Sequence, residues 1–512
     1  MRQFRIQFIS TFIRISCILI CTMTSCQFKK ANELPNIIVF LVDDMGLMDT
    51  SVPFILDSKG NPIKYPLNEV YRTPNMEYLA KQGVRFSNFY AHSVCSPSRT
   101  TILTGQNSAR HRTTNWVNAE SNNKNTFGPT LWNWKGLTKQ SITVPKLLQQ
   151  KGYKTIQIGK AHFGPIGSDG EDPLNIGFDI SIAGSAIGHP GSYYGLDGYG
   201  NINGQKERAV PGLDKYHGKE IFLTEALTLE ARAAISQAKN EGKPFFLYLS
   251  HYAVHAPFQS DSRFASHYEN LDLNDKAKAY ATLVEGIDKS LGDIIKHVKD
   301  LDLGENTLLL FLGDNGSDAP LPIINNYSSS DPLKGKKGNH WEGGMRVPFI
   351  ASWVSPNSHS LAQRATPIAE NTIQQQMGTI EDLFKTINLI ANSIAPVDYL
   401  DDGFELQTQF KGEENKNRSE LFLNHFPHAH RSSYFTSLVY DDWKLIYHYP
   451  VNSAVSYELY FLKEDPFEAV NLASSNKEQL KLMMQHLALQ LQDKNALFPV
   501  KDGKPLDLIF PE

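Results

Sequence analysis

Cysteine is scarce in this chain. Four occur among 512 residues, at positions 17, 21, 26 and 95. Cys17 and Cys21 fall in an N-terminal leader, so the one disulfide left is Cys26 with Cys95, and a cystine-stapled scaffold is excluded. Charge of one sign is missing too: 50 Lys and Arg oppose 54 Asp and Glu, a net of −4. No global basic field calls for nucleic acid, and any anion site must be a local cluster. The leader's apolar run, residues 15–23, is far short of the ~20 residues that span a bilayer. No segment repeats, which argues against solenoids and propellers.

What the start does have is the pattern of a signal peptide. Arg2, Arg5 and Arg14 precede or flank the short apolar run, which is the order of an export leader. Thr24-Ser25-Cys26 resembles the end of a bacterial lipobox, with Cys26 as the lipidated first residue of the mature chain. Met23 stands where Leu is usual, so cleavage without lipidation stays open. Either way the chain is expected in the bacterial periplasm or on the cell surface, and an acylated Cys26 would attach it to a membrane through lipid rather than a protein span. The cysteine then left over in an exported protein, Cys95, marks a reactive group.

Length allows two domains with a large core. Asn36-Ile37-Ile38-Val39-Phe40-Leu41-Val42 is apolar almost throughout, the mark of a strand covered on both faces. Further strands are expected at 84–89, 154–158, 245–250, 307–312 and 347–352. Helices are expected at 74–83, 144–151, 219–239, 274–300 and 380–390. The alternation predicts an α/β fold, a large mixed sheet flanked by helices on both faces. Past about residue 395, short strands at 433–440, 444–448 and 457–461 and a helix at 477–492 predict a smaller domain, an antiparallel sheet with one helix. The expected division is a signal peptide at 1–25, a main domain at 33–395 and a C-terminal subdomain at 396–512 that completes the cleft. Residues 183–204, rich in Gly, Tyr and Ser, read as a long loop on or near a site.

Asp43 and Asp44 end the first strand, and Asp314 and Asn315 end the one at 307–312. Ligands of open α/β sheets sit beyond the carboxyl ends of strands. If those strands are neighbours, three carboxylates and an amide oxygen meet, an all-oxygen set suited to Ca²⁺ first and Mg²⁺ second. A single Asp after a strand is more often a cap; two such pairs beside Cys95 favour the metal. Cys95 begins Cys95-Ser96-Pro97-Ser98-Arg99, with Leu103-Thr104-Gly105 behind it. Ser96 reads as an N-cap, Pro97 as the first helical residue and Gly105 as the stop. Cys95 would then sit at the positive end of a helix with Arg99 one turn on. Lys160 and His162 follow the strand at 154–158, His255 follows the one at 245–250, and Lys337 precedes the one at 347–352. A lone Lys or His in a loop is ordinarily just solvated. Here each falls at an edge of one inferred sheet, where cationic donors would surround an anion.

The Cys95 segment resembles the sulfatase signature, C-x-P-x-R followed by L-T-G. The resemblance runs on in order through Asn36 to Asp44, residues 159–164, Val254-His255-Ala256-Pro257, residues 313–316 and residues 337–348. It includes Asp442-Trp443-Lys444-Leu445, Glu458-Leu459-Tyr460, Asp465-Pro466 and Asn471-Leu472-Ala473. It points to the arylsulfatase-like, formylglycine-dependent branch of the alkaline phosphatase superfamily. The resemblance implies that a maturation enzyme oxidises Cys95 to formylglycine, whose hydrate attacks sulfur. It implies Ca²⁺ on Asp43, Asp44, Asp314 and Asn315, with Arg99 and Lys160 steadying the hydrate and the sulfate. It gives His162 the proton of the diol, and His255 and Lys337 the sulfate and the departing alcohol. Ala161 departs from the family, where many relatives carry Trp.

A sulfated carbohydrate is the expected substrate; relatives with this type of C-terminal segment act on galactose or N-acetylgalactosamine sulfates. In Asn424-His425-Phe426-Pro427-His428-Ala429-His430-Arg431, His428 and His430 are expected either to bind sugar hydroxyls or to form a structural cluster. The alternatives are a phosphate or phosphonate ester hydrolase on the same scaffold, for which no second Asp and His cluster is visible, and an inactive glycan-binding lipoprotein, which Cys95, His255 and Lys337 speak against.

Overall fold

Asn36–Val42 (β1) is buried at every position, and the rest of the molecule is arranged around it. The computed structural model describes residues 34–117, 123, 126–321 and 329–512. The signal peptide and Cys26 lie outside the described residues. The main sheet adds Val84–Phe86 (β2), Lys154–Gly159 (β3), Ile180–Ile182 (β4), Phe245–His251 (β5), Thr307–Gly313 (β6), Phe349–Trp353 (β7) and Thr372–Gln374 (β8). Its eight strands run β4–β3–β5–β1–β6–β7–β2–β8. β1 is parallel to both neighbours, and β7 runs against β6 and β2. The large mixed sheet expected from the sequence is present.

Helices cover it. Pro74–Gln82 (α1), Leu223–Asn240 (α3) and Asp275–Asp300 (α4) pack together. Their apolar faces meet Ile38, Phe40 and Val42 in one core. Ile37, Val39 and Leu41 alternate with these and are equally buried, outside that core, and Cys95–Thr104 (α2) and Asp382–Ile390 (α5) pack on each other as a second group. Both faces of β1 are thus buried, which is why it carries no polar–apolar alternation.

The smaller sheet is antiparallel: Leu421–Phe426 (β9), Phe435–Tyr440 (β10), Trp443–His448 (β11) and Ser456–Phe461 (β12). Lys477–Asp493 (α6) packs on it through Leu480, Met483, Met484, Leu487 and Leu491. β9 was not anticipated; its polar His425 is buried because Thr436 Oγ1 and Leu497 O take its two ring nitrogens, at 2.7 and 2.8 Å. Both sheets belong to one compact unit, Pro35–Glu512. A buried charge cluster joins them. Lys444 Nζ on β11 lies 2.9 Å from Glu342 Oε1 and 2.7 Å from Glu468 Oε1, and Glu342 in turn accepts from Tyr90 Oη at 2.8 Å.

Candidate functional site

Register brings the site together. Val42 pairs with both His251 and Gly313, and Gly159 pairs with Ser250. The residues that follow these four strand ends therefore emerge side by side at one edge of the sheet. Carboxylate oxygens of Asp43, Asp44 and Asp314 come within 4.8 Å of one another, and all three residues are buried. The turns that hold them allow no bulk: a Cβ on Gly313 would lie 2.0 Å from Met45 O. Asp44 sits at φ 59°, a left-handed conformation that costs a non-glycine residue about 1–3 kcal/mol and clusters at functional sites. Asn315 Nδ2 donates to Asp44 Oδ1 at 2.9 Å, while its buried Oδ1 has no partner.

α2 begins at Cys95, with Val94 as its extended N-cap, so the expected cap at Ser96 is corrected. The Ser96 hydroxyl is occupied elsewhere: it accepts from Val117 N at 3.0 Å and lies 3.3 Å from His162 Nδ1. Pro97 still falls in the first turn, where its missing N–H is no loss. The stop at Gly105 is as expected, with φ 71° and its N–H on Thr101 O at 2.7 Å. Cys95 Sγ lies 3.4 Å from His162 Nδ1. His162 Nε2 donates to Val117 O at 2.9 Å. That bond fixes the tautomer and turns the Nδ1 lone pair toward Cys95.

The cations reach the same floor. Gly159, at φ 95°, makes the turn that delivers Lys160; a Cβ there would lie 1.9 Å from Ser250 O. Lys160 Nζ lies 2.7 Å from Asp43 Oδ2, Lys337 Nζ 2.6 Å from Asp44 Oδ1, and His255 Nε2 3.6 Å from Asp44 Oδ2. Arg99, fully buried, donates from Nε to Asp314 Oδ2 at 2.9 Å, and from Nη1 to Lys160 O and Ser250 Oγ at 3.0 and 2.6 Å. Its guanidinium thus braces the carboxylates and the Lys160 turn. Burial pushes Asp44 up, but Lys337, His255 and Lys160 outweigh it and hold its carboxyl well below the usual range. Burial raises Asp314 to about 6, against the pull of Arg99. Lys337 is raised by Asp44 despite its burial, so it keeps its proton. His255 is held down to about 3 by burial and by Lys337, and His162 well below its ordinary value by burial, Lys160 and Arg99; both are neutral. Burial pushes the Cys95 thiol up even beside Lys160 and Lys337, so an unmodified thiolate is disfavoured as a nucleophile.

A cleft of about 790 Å³ opens above this floor, with Cys95, His162, His255 and Lys337 at its base. Trp116, His189, Arg208, His430 and Arg431 are among its walls. His430 packs edge-on against Trp116 at 4.5 Å, and Arg431 is bidentate on Asp318 at 2.6 and 2.8 Å. His428 is not brought to the cleft. It is fully buried, accepts from Thr114 Oγ1 at 2.7 Å, donates to Asn123 Oδ1 at 3.1 Å and packs on Trp132 at 4.9 Å. Its ring nitrogens are satisfied inside the fold, so the structural of the two expectations fits it. The loop at 183–204 does border the site: Tyr193 Oη donates to Tyr252 O and His255 O at 2.8 and 2.7 Å. Trp116, His189 and Arg208 were missed by sequence reasoning, since none stands in a motif.

A family model described as Sulfatase matches residues 35–392. The chain is similar to N-acetylgalactosamine-6-sulfatase of Canis lupus familiaris, 30% identical over 386 residues that make up 73% of this chain and 66% of that protein, just under two thirds of its length. It is also similar to a sulfatase of Formosa agariphila, 26% identical over an alignment of 536 positions that covers 94% of this chain and 92% of that one. Among solved structures it resembles Ps i-CgsB in complex with k-i-k-neocarrahexaose, with a TM-score of 0.68, 25% identity, and coverage of 90% and 94% of the two chains.

Proposed function

The chain belongs to the sulfatase family, and from that premise we propose that it removes sulfate from a sulfated carbohydrate, with Cys95 oxidised to formylglycine and Ca²⁺ on Asp43, Asp44, Asp314 and Asn315. The observation that carries this reading is convergence: the one cysteine past residue 26 lies at the base of a cleft whose floor is a buried carboxylate cluster ringed by cations.

The residues fit a hard cation. Three carboxylates offer oxygens around a common point, and the unpartnered Asn315 Oδ1 supplies the acceptor that only a cation or a donor could satisfy. Such an ion would hold sulfate oxygens and draw charge from them; the aldehyde hydrate would supply two hydroxyls on one carbon, one to attack sulfur and one to expel sulfate. The chain's own side chains do the rest. Lys337 keeps its proton and offers N–H groups to the sulfate and the departing oxygen. His255, with Nδ1 donating to Ala256 O at 2.9 Å, presents Nε2 to the same region, ready to take a proton once an anion arrives. His162 holds an unprotonated Nδ1 3.4 Å from Cys95 Sγ, the place of a base for the second hydroxyl. Arg99 keeps the carboxylates in position.

Relatives act in name on N-acetylgalactosamine sulfates, and a structural neighbour binds neocarrahexaose. The cleft here is large enough for more than the sulfate, and Trp116 and His430 give it an aromatic wall suited to a sugar face. A galactose or N-acetylgalactosamine sulfate is the reading these features support. The leader pattern supports export to the periplasm or cell surface, and Cys26 supports a lipid anchor there, with cleavage and no lipid as the alternative.

The test is a desulfation assay on defined sulfated saccharides, with phosphate and phosphonate esters as controls, using protein coexpressed with a formylglycine-generating enzyme. Mass spectrometry of the Cys95 peptide should show the aldehyde, and Cys95→Ala should fold and be inactive. Chelation should abolish turnover, Ca²⁺ should restore it, and Asp314→Ala should lower bound metal and activity together. Wild-type turnover by Cys95→Ala, or by protein shown to be metal-free, would sink this mechanism.

A further inference from the structure

Beside the cleft, three side chains converge that the sulfatase reading does not use. His340 lies three residues after Lys337, His448 ends β11, and Glu458 lies in β12. One ring nitrogen from each histidine and one carboxylate oxygen lie within 4.8 Å of one another. His340 Nε2 is 3.2 Å, and His448 Nε2 2.8 Å, from the same oxygen, Glu458 Oε1. The two rings stand 86° apart with centroids 4.8 Å from each other, so they approach that oxygen from different directions. The His340 side chain is only 8% exposed; its Nδ1 has no hydrogen-bond partner, and its Nε2 faces Glu458 Oε1 without good hydrogen-bond alignment. A buried polar group left so costs about 1–3 kcal/mol and calls for a partner. The far oxygen of the carboxylate is fixed from behind: Trp341 Nε1 donates to Glu458 Oε2 at 3.0 Å and Tyr460 Oη at 2.5 Å. Metal-bound carboxylates are oriented in this way by outer hydrogen bonds.

We propose that His340, His448 and Glu458 form a second metal site, for a transition-metal dication of the zinc type. Two imidazoles and one carboxylate are a borderline donor set that suits Zn²⁺ or Co²⁺, whereas Ca²⁺ prefers oxygen alone. Spacings of 2.8 and 3.2 Å approach those that bonds of ~2.0–2.1 Å set around a tetrahedral ion. His448 and Glu458 are 24% and 17% exposed, so an ion enters from solvent and a fourth position faces water. The ion would tie the loop that carries Lys337 to β11 and β12 of the smaller sheet. Its role is positional; none of the three ligands reaches the cleft floor.

The full-length protein, stripped with chelator and then held in excess Ca²⁺ to fill the acidic cluster, is titrated with Co²⁺ and followed by visible absorption. One equivalent should bind with the intense band of a four- or five-coordinate ion, and Zn²⁺ should bleach it. His448→Ala and Glu458→Gln should lose the band, and Asp314→Asn should keep it. This readout does not depend on turnover. No band, or a band that survives both His448→Ala and Glu458→Gln, overturns the site and leaves a hydrogen-bonded triad. Should either variant fail to fold by its melting curve, Tyr460→Phe decides: it keeps all three ligands and should weaken Co²⁺ binding by about 10–100-fold, and unchanged affinity overturns the proposal.

Discussion

Lys337 and His430 line one cleft but meet different parts of a substrate. Lys337 faces Asp44 at the floor; His430 stands higher, against Trp116. Lys337→Ala should therefore lower kcat/KM on a small aryl sulfate and on the saccharide alike. The loss of a charged hydrogen bond, about 1.5–3 kcal/mol, corresponds to roughly 10–150-fold. His430→Ala should cost about two- to tenfold on the saccharide and little on the aryl ester, the size of one neutral hydrogen bond. Equal losses on both substrates would move His430 into the chemistry or the fold. His428 belongs elsewhere. Its two buried hydrogen bonds and its packing on Trp132 make His428→Ala a stability variant, weaker by about 2–4 kcal/mol. An unchanged melting curve would contradict that packing.

At the scale of elements, the joint between the two sheets is the sensitive place. Lys444 bridges the carboxylates of Glu342 and Glu468, both buried. Lys444→Met would leave Glu468 without its cation and Glu342 with Arg346 alone, at 3.7 Å, and breaking a buried pair in this way costs about 3–5 kcal/mol. The expected result is poor expression or a sharply lowered melting temperature; a mild effect would show that water reaches the cluster. The strands of the main sheet were legible because burial on two faces leaves no room for polar residues, as in Asn36–Val42. β9 was not, because Asn424 and His425 interrupt its pattern and their burial depends on partners distant in sequence, such as Thr436. The same contrast holds in the site. Asp43, Asp44, Cys95, Asp314 and Lys337 stand in local motifs and are found together at the cleft floor or at its base. Trp116 and Arg208 come to the cleft only through the path of loops. Ser96 was misread as a cap because its tie to His162 and Val117 spans the fold.

For the whole molecule, pH should act through buried groups that do not line the cleft. Burial holds His92, His111 and His251 at about 3 and His425 at about 4. A histidine so lowered lends its stability above the unfolded value of about 6.5 and loses it as pH falls. Burial raises Asp49 to about 7 and Asp288 to about 6. A carboxyl so raised lends stability at low pH and loses it as pH rises from about 3.9 through the folded value. His428 is held at about 3 as well, and burial raises Glu381 to about 8 and Glu468 to about 7, so between about pH 4 and 6.5 five histidines and four carboxyls nearly offset each other. The apparent Tm should change little from pH 5 to about 6.5 and then fall by pH 8, as Asp49, Glu468 and Glu381 lose their protons; a Tm that climbs from pH 6.5 to 8 would refute the balance. Charge in the cleft has a further consequence. Asp43, Asp44 and Asp314 face Arg99, Lys160 and Lys337, three negative side chains against three positive ones. On the proposed reading, a divalent ion leaves that pocket with two positive charges in excess. A sulfate ester carries one negative charge, but free sulfate carries two. The pocket is then better matched to what it makes than to what it receives, and release of sulfate becomes the slow event of the cycle. Progress curves should bend early, added sulfate should compete with substrate, and the working rate would be governed by how much free sulfate already surrounds the cell.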